Sequence, residues 1–150
     1  MKLMKLKVDR KFRPCEVDAG DELYPNGVFV FNVTKLLVHI EGNSGDFSVE
    51  EVVVDSLGLT SSNLDETTVQ NADLSRPILL AEIAPGSFNV IDGNHRVGRV
   101  RRDGIKTLPA YRVGPSVHVP FMTEVAGYKS YVRYWNQKIR DREQWTQRRT

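Results

Sequence analysis

The stretch from Phe88 to Val113, FNVIDGNHRVGRVRRDGIKTLPAYRV, leaves few ways to arrange the chain around it. Phe88 to Ile91 carries β-favouring side chains and reads as a strand. Gly93 then permits a tight turn or a positive φ that a side chain would resist. A short helix starts near Asn94 or His95, is held to a sheet by Val97, Val100 and the following Ile105, and stops at Asp103-Gly104. Gly98, inside that helix, costs about 1 kcal/mol relative to alanine. It marks either a close approach of backbone or ligand, or an imperfect helix. Leu108 to Val113 returns as a strand. Strand, polar turn, helix and strand in succession form part of an α/β layer, and the remaining residues must supply its neighbours and cover.

The turn itself, Asp92-Gly93-Asn94-His95-Arg96, is the densest cluster of reactive side chains in the sequence. The first amides of a helix lack partners within it, and its dipole is positive there. A helix start after a glycine, carrying His95 and Arg96, therefore suits an anion, with Arg99 one turn further along. Phosphate is the expected ligand: Arg96 for a bidentate contact, backbone amides as a cradle, His95 as hydrogen-bond or proton donor. Asp92 caps the helix or makes a structural ion pair, binds a metal carried by a nucleotide, or accepts a proton from a hydroxyl, and a structural salt bridge is the competing reading for Arg96. Glu50, Glu51 and Glu82 are further carboxylate candidates, and no residues are assigned as metal ligands.

The flanking segments complete the picture. Residues 2–8, KLMKLKV, alternate, and predict an edge strand with Met4, Leu6 and Val8 on one side. Tyr24-Pro25-Asn26-Gly27 predicts a turn, and Phe29-Val30-Phe31 a strand. Val33, Leu36, Leu37 and Ile40 recur at helical intervals behind a plausible cap, Asn32. In Val49 to Leu59 a capping-box spacing, Ser48 to Glu51, competes with Val52-Val53-Val54, and strand is preferred. Asp65 to Ala72 predicts a short helix capped near Asp65. Ile78 to Ile83, opening on the apolar run Ile78-Leu79-Leu80-Ala81, predicts a buried strand in a hairpin with Phe88 to Ile91. From Thr123 to about residue 143 a long helix carries an apolar stripe of Val125, Tyr128, Val132, Trp135 and Ile139, for docking on the domain or on a second copy in a homodimer.

At 150 residues, 40% apolar and 27% charged, the expectation is one domain over residues 1–150. No apolar run approaches the ~20 residues needed to span a bilayer, and the start lacks the apolar core of a signal peptide. The single cysteine, Cys15, has no internal disulfide partner and suits a cytoplasmic location. Residues 1–75 hold 7 Lys/Arg against 13 Asp/Glu, and residues 76–150 hold 14 against 6. The second half would attract phosphates, DNA or an acidic partner, unless the two halves neutralise each other in the fold.

Three blocks in order, Pro77-Ile78-Leu79-Leu80, Asn89-Val90-Ile91-Asp92-Gly93-Asn94-His95-Arg96 and Gly104-Ile105-Lys106-Thr107-Leu108-Pro109-Ala110, resemble the ParB N-terminal/sulfiredoxin superfamily over roughly residues 65–113. The resemblance implies a small mixed sheet with short helices, an α+β domain, and nucleotide phosphates bound by Gly93, Asn94, His95 and Arg96. Sulfiredoxins carry a cysteine where Asn94 stands, so sulfinic acid reduction is not implied. The acidic form, Asp92 before Gly93, resembles the kinase-like and DNA-modification-associated branches. Two functions follow as expectations. The first is a nucleotide-binding domain, with ATP, ADP or CTP and Mg2+, acting as a phosphoryl-transfer or hydrolytic enzyme through Asp92 and His95, with Arg99 helping to bind phosphate. The alternative is a non-catalytic accessory protein binding DNA or a partner in plasmid or chromosome maintenance.

Overall fold

The computed structural model describes residues 3–58, 66–70 and 72–149. It is a mixed α/β structure with two sheets and a C-terminal helix. Strands β1 (Leu23–Asn26) and β2 (Phe29–Asn32) form an antiparallel hairpin. The larger sheet has the order β3-β6-β4-β5, with β3 Glu50–Val53, β4 Ile78–Ala84, β5 Ser87–Asp92 and β6 Thr107–Val113. β4 pairs antiparallel with β5 and parallel with β6, so the chain must cross over between β5 and β6. Helix α3 (Asn94–Arg102) makes that crossover.

The apolar run at Ile78 follows from this topology. Leu79, Ala81 and Ile83 face one core and Ile78 and Leu80 the other, because successive side chains of a strand point to opposite faces. The second core is closed by Val97 and Val100 of α3, with Val52, Leu108 and Ala110 from the neighbouring strands. Ile105, expected in that contact, is 40% exposed. The first core is covered by the β1–β2 hairpin, by α1 (Val33–Gly42) and by α5 (Val125–Arg149). A short helix, α4 (Pro115–His118), leads from β6 toward α5. A strand buried on both faces tolerates no polar side of its own, which is why its sequence does not alternate.

Helix α5 docks on its own domain. Tyr128, Val132, Trp135 and Ile139 are buried as the stripe predicts, together with Tyr131, which the stripe omitted. Val125, at the first turn, is 42% exposed. Since this face packs against the sheet, the stripe that motivated a homodimer is occupied within the chain.

Two local expectations change. Residues 3–8 do not form a strand. They lie along α5, where Asn136 brackets Leu6 with hydrogen bonds from the Leu6 N–H and to its carbonyl, both 2.8 Å, and the Trp135 indole donates to Met4 O. Leu3 and Leu6 are half-buried while Met4 and Val8 are exposed, so the burial period is three rather than two. Tyr24-Pro25-Asn26 belongs to β1, and the chain turns one step later at Gly27-Val28, with Gly27 at φ +66°. The Val49–Leu59 ambiguity resolves to strand β3 followed by a 3-10 turn, Val54–Ser56. A short helix, α2 (Glu66–Gln70), lies in the 65–72 region, and the expected Asp65 cap lies outside the described residues.

The Asn32 cap is more than a cap. Its Oδ1 accepts from the Lys35 N–H at 3.1 Å, while Nδ2 donates to Asp21 Oδ2 at 2.8 Å and to Glu16 O at 3.2 Å, all from a fully buried side chain. The Asn32 hydrogen bond is the foremost cause holding the Asp21 carboxyl below its usual range. Asn32→Ala removes a helix cap and one donor from each of two acceptors, which Lys35 and Asp18 still reach, so a loss of about 1–2 kcal/mol is expected in urea unfolding. A loss within error of zero would mean that the Glu16–Asp21 loop rearranges to satisfy its own groups.

Candidate functional site

Asp92 closes β5, opposite Leu79 and beside an irregularity in the β4–β5 register. Bulges of this kind re-aim side chains at strand ends. Gly93 follows at φ +101°, in the left-handed region, and serves as N-cap of α3. The first intrahelical bond runs from Val97 N–H to Gly93 O at 3.0 Å, leaving the amides of Asn94, His95 and Arg96 without acceptors in the helix.

All five residues of the turn, Asp92 to Arg96, line one open cavity of about 690 Å³. The turn sets Asn94 and His95 in its wall half-buried, with no side-chain hydrogen bond among the described residues. Arg96 is buried, and its guanidinium folds back over Gly93. Its Nη2 donates to Asp92 Oδ2 at 3.0 Å, an ion pair one helical turn apart. Arg96 Nε is buried without a partner among the described residues. Part of the fork expected to grip an anion is thus committed to Asp92, and Asp92 is less a cap than a clamp on Arg96.

Arg99 does not line the cavity. Its Nε pairs with Asp103 at 2.6 Å and its Nη1 donates to Gln70 O, so it ties α2 to α3. Arg101 Nη2 donates to the carbonyls of Leu57 and Gly58 at 2.9 and 2.8 Å. These arginines hold the chain to itself, so the basic half of the sequence does not present α3 as a free cationic stripe. Glu50 and Glu51 lie on β3, at the opposite edge of the sheet from Asp92. Glu82 accepts the Gly86 N–H at 2.8 Å and stays outside the cavity wall.

The structure adds residues that the sequence reading did not single out. Asp73 and Arg76 enter the wall from the turn before β4, and Thr67 and Thr68 from α2. The Asp73 carboxylate accepts both Ser75 Oγ–H at 2.6 Å and Ser75 N–H at 3.0 Å. Those bonds, then the charges of Arg76 and Arg96, hold its carboxyl below the usual range. The exposed Arg76 side chain makes no hydrogen bond or ion pair among the described residues. The spacing Asp73-x-Ser75, an Asx-type turn, was a local signal for this wall. Glu22, Tyr24 and Leu37 close the cavity from the β1–α1 side, a long-range placement with no local trace.

Fold and site together define a small mixed α/β protein with an open polar cleft at a glycine-led helix start. No protein-family model, curated protein or solved structure matches the chain. No helix among the described residues is long and apolar enough to cross a membrane.

Proposed function

We propose that the cleft binds the phosphates of a nucleotide, in a domain of the ParB/sulfiredoxin-like kind. The observation that carries this is the α3 N-terminus lining a cavity large enough for a nucleotide, with the Asn94, His95 and Arg96 amides unpaired among the described residues. Arg76, which makes no hydrogen bond or ion pair among the described residues, supplies a cation at that wall. Arg96, held by Asp92, lays its guanidinium behind Gly93 as a further hydrogen-bond donor. His95 is the residue placed to give or take a proton, and Asp92 positions Arg96. Among the described residues no three His, Cys, Asp or Glu side chains cluster as metal ligands. Mg2+ would then enter on the nucleotide phosphates, whose chemistry does not need an all-protein cage. Phosphoryl transfer or hydrolysis is the reaction class such a site serves.

A thermal-shift panel of ATP, ADP and CTP with and without Mg2+ tests this. At least one nucleotide is expected to raise the melting temperature. Arg76→Ala, an exposed change that leaves the fold intact, is expected to weaken that ligand roughly tenfold, as loss of a charge-assisted contact does. No response to any nucleotide, with salt-sensitive retardation of DNA instead, would replace this reading by the nucleic-acid one.

A further inference from the structure

The two ends of the cavity differ in kind. At the α3 end lie the Asn94–Arg96 amides, with no partner among the described residues, together with Arg76 and His95, and the two carboxylates there are offset, Asp92 by its pair with Arg96 and Asp73 by the charges of Arg76 and Arg96. From the β1–α1 side, Tyr24 and Leu37 are half-buried against the first core, and Ile91 of β5, next to Asp92, lines the same cavity. Glu22 stands on that β1–α1 side with its side chain exposed and unpaired among the described residues. Its backbone is fixed, since its N–H donates to Thr34 Oγ1 at 2.7 Å and its carbonyl accepts the Val33 N–H at 2.9 Å. A carboxylate without a cation repels phosphate, and an apolar floor with a phenol ring suits a flat, weakly polar group.

We infer that the Tyr24–Leu37–Ile91 floor is the subsite for the base of a nucleoside phosphate, with Glu22 accepting N–H groups from the base edge. This rests on the phosphate reading of the α3 end and adds direction and selectivity to it: phosphates at Gly93–His95, ring on Tyr24. The arrangement of these groups sets the polarity of the ligand, because the reverse pose would set phosphate beside Glu22 and the ring against polar amides and Arg76. The floor also explains why a cavity of about 690 Å³ extends well beyond the turn that would hold phosphate alone.

The test compares tripolyphosphate with ATP, CTP, GTP and UTP on the full chain by calorimetry, all with Mg2+. At least one nucleoside triphosphate is expected to bind roughly tenfold or more tightly than tripolyphosphate, the scale of one base–aromatic stack. Tyr24→Leu, which keeps an apolar side chain in β1, should bring that nucleotide down to the tripolyphosphate affinity and leave tripolyphosphate unchanged, whereas Tyr24→Phe should retain the difference. Glu22→Gln, at an exposed side chain, should alter the ranking among the bases and leave tripolyphosphate unchanged. Equal binding of tripolyphosphate and all four nucleotides would overturn the base subsite while the phosphate reading stands. A steep gain of tripolyphosphate affinity in Glu22→Gln would put phosphate at the wrong end and overturn it as well. Binding of none of the five removes both.

Discussion

Gly93→Ala is expected to destabilise the protein by about 3 kcal/mol and to abolish any stabilisation by a phosphate ligand. Two costs combine at this position. The backbone sits at φ +101°, where an L side chain is strained by about 1–2 kcal/mol. A Cβ built there would also lie 2.5 Å from Ile78 Cγ2, 2.7 Å from Arg96 Nη2 and 2.9 Å from Arg96 Nε. Ile78 is fully buried in β4 and cannot retreat without opening the second core, so the overlap adds a further cost of about 1–3 kcal/mol. Arg96 is the softer neighbour, but moving it separates it from Asp92 and leaves a part-buried carboxylate without its cation. Gly104→Ala is the control: φ is +69° there and nothing lies within 4 Å of the added atom, so only the backbone cost of about 1 kcal/mol remains. Urea unfolding of both variants measures the steric part by difference. If the two losses are equal, the packing of Arg96 over Gly93 is soft and the turn is not a rigid cradle.

That contrast also indicates what the sequence could and could not reveal. Gly93 as a turn, a helix start near Asn94 or His95 and Asp103-Gly104 as its stop were legible because each depends on residues within a few positions. The buried strand at Ile78 was legible for the same reason: a strand covered on both faces writes an unbroken apolar run. Residues 3–8 misled because alternation is a strand signal only where a neighbouring strand pairs, and here the neighbour is α5, whose Asn136 and Trp135 take the backbone groups instead. Helical spacing places Arg99 on the His95 face, but it does not reveal that Asp103 and Gln70 engage its guanidinium. The charge imbalance between halves was real as arithmetic, but Arg96, Arg99, Arg101 and Arg142 spend their charge on internal carboxylates and carbonyls. The far wall of the cavity, Glu22 to Leu37, is brought to Asp92 only by the packing of two sheets, which no local pattern encodes.

Acid is expected to weaken the fold through His118, a residue remote in sequence from the candidate site. Its imidazole is completely buried between Phe31 and Tyr131, with ring centroids 5.2 Å away on each side. Nε2 lies 2.8 Å from Glu82 O, and a carbonyl only accepts, so Nε2 carries the hydrogen. Tyr131 OH donates to the same carbonyl at 2.8 Å. Nδ1 is therefore the unprotonated nitrogen, and it has no hydrogen-bond partner among the described residues. Protonation would bury a charge and add an N–H at Nδ1 with nothing to receive it, so burial pushes the His118 pKa down to about 4, the Glu82 hydrogen bond opposing it only in part. The ordinary value is about 6.5, so the unfolded chain binds this proton before the folded one does. The contribution is fully present above pH 6.5 and is lost as pH falls toward 4, amounting to about 3 kcal/mol. Carboxylates titrate over part of the same range, which makes the wild type alone a poor reporter. In His118→Gln the side-chain amide retains a donor for Glu82 O and has no titration, so its stability should change less with pH. The stability difference between wild type and His118→Gln, measured by urea unfolding from pH 7 to pH 4, should shift by about 3 kcal/mol against the wild type. A difference that stays constant over that range would show that the buried ring accepts its proton as readily as a free histidine, and that its pocket opens to water before the fold does.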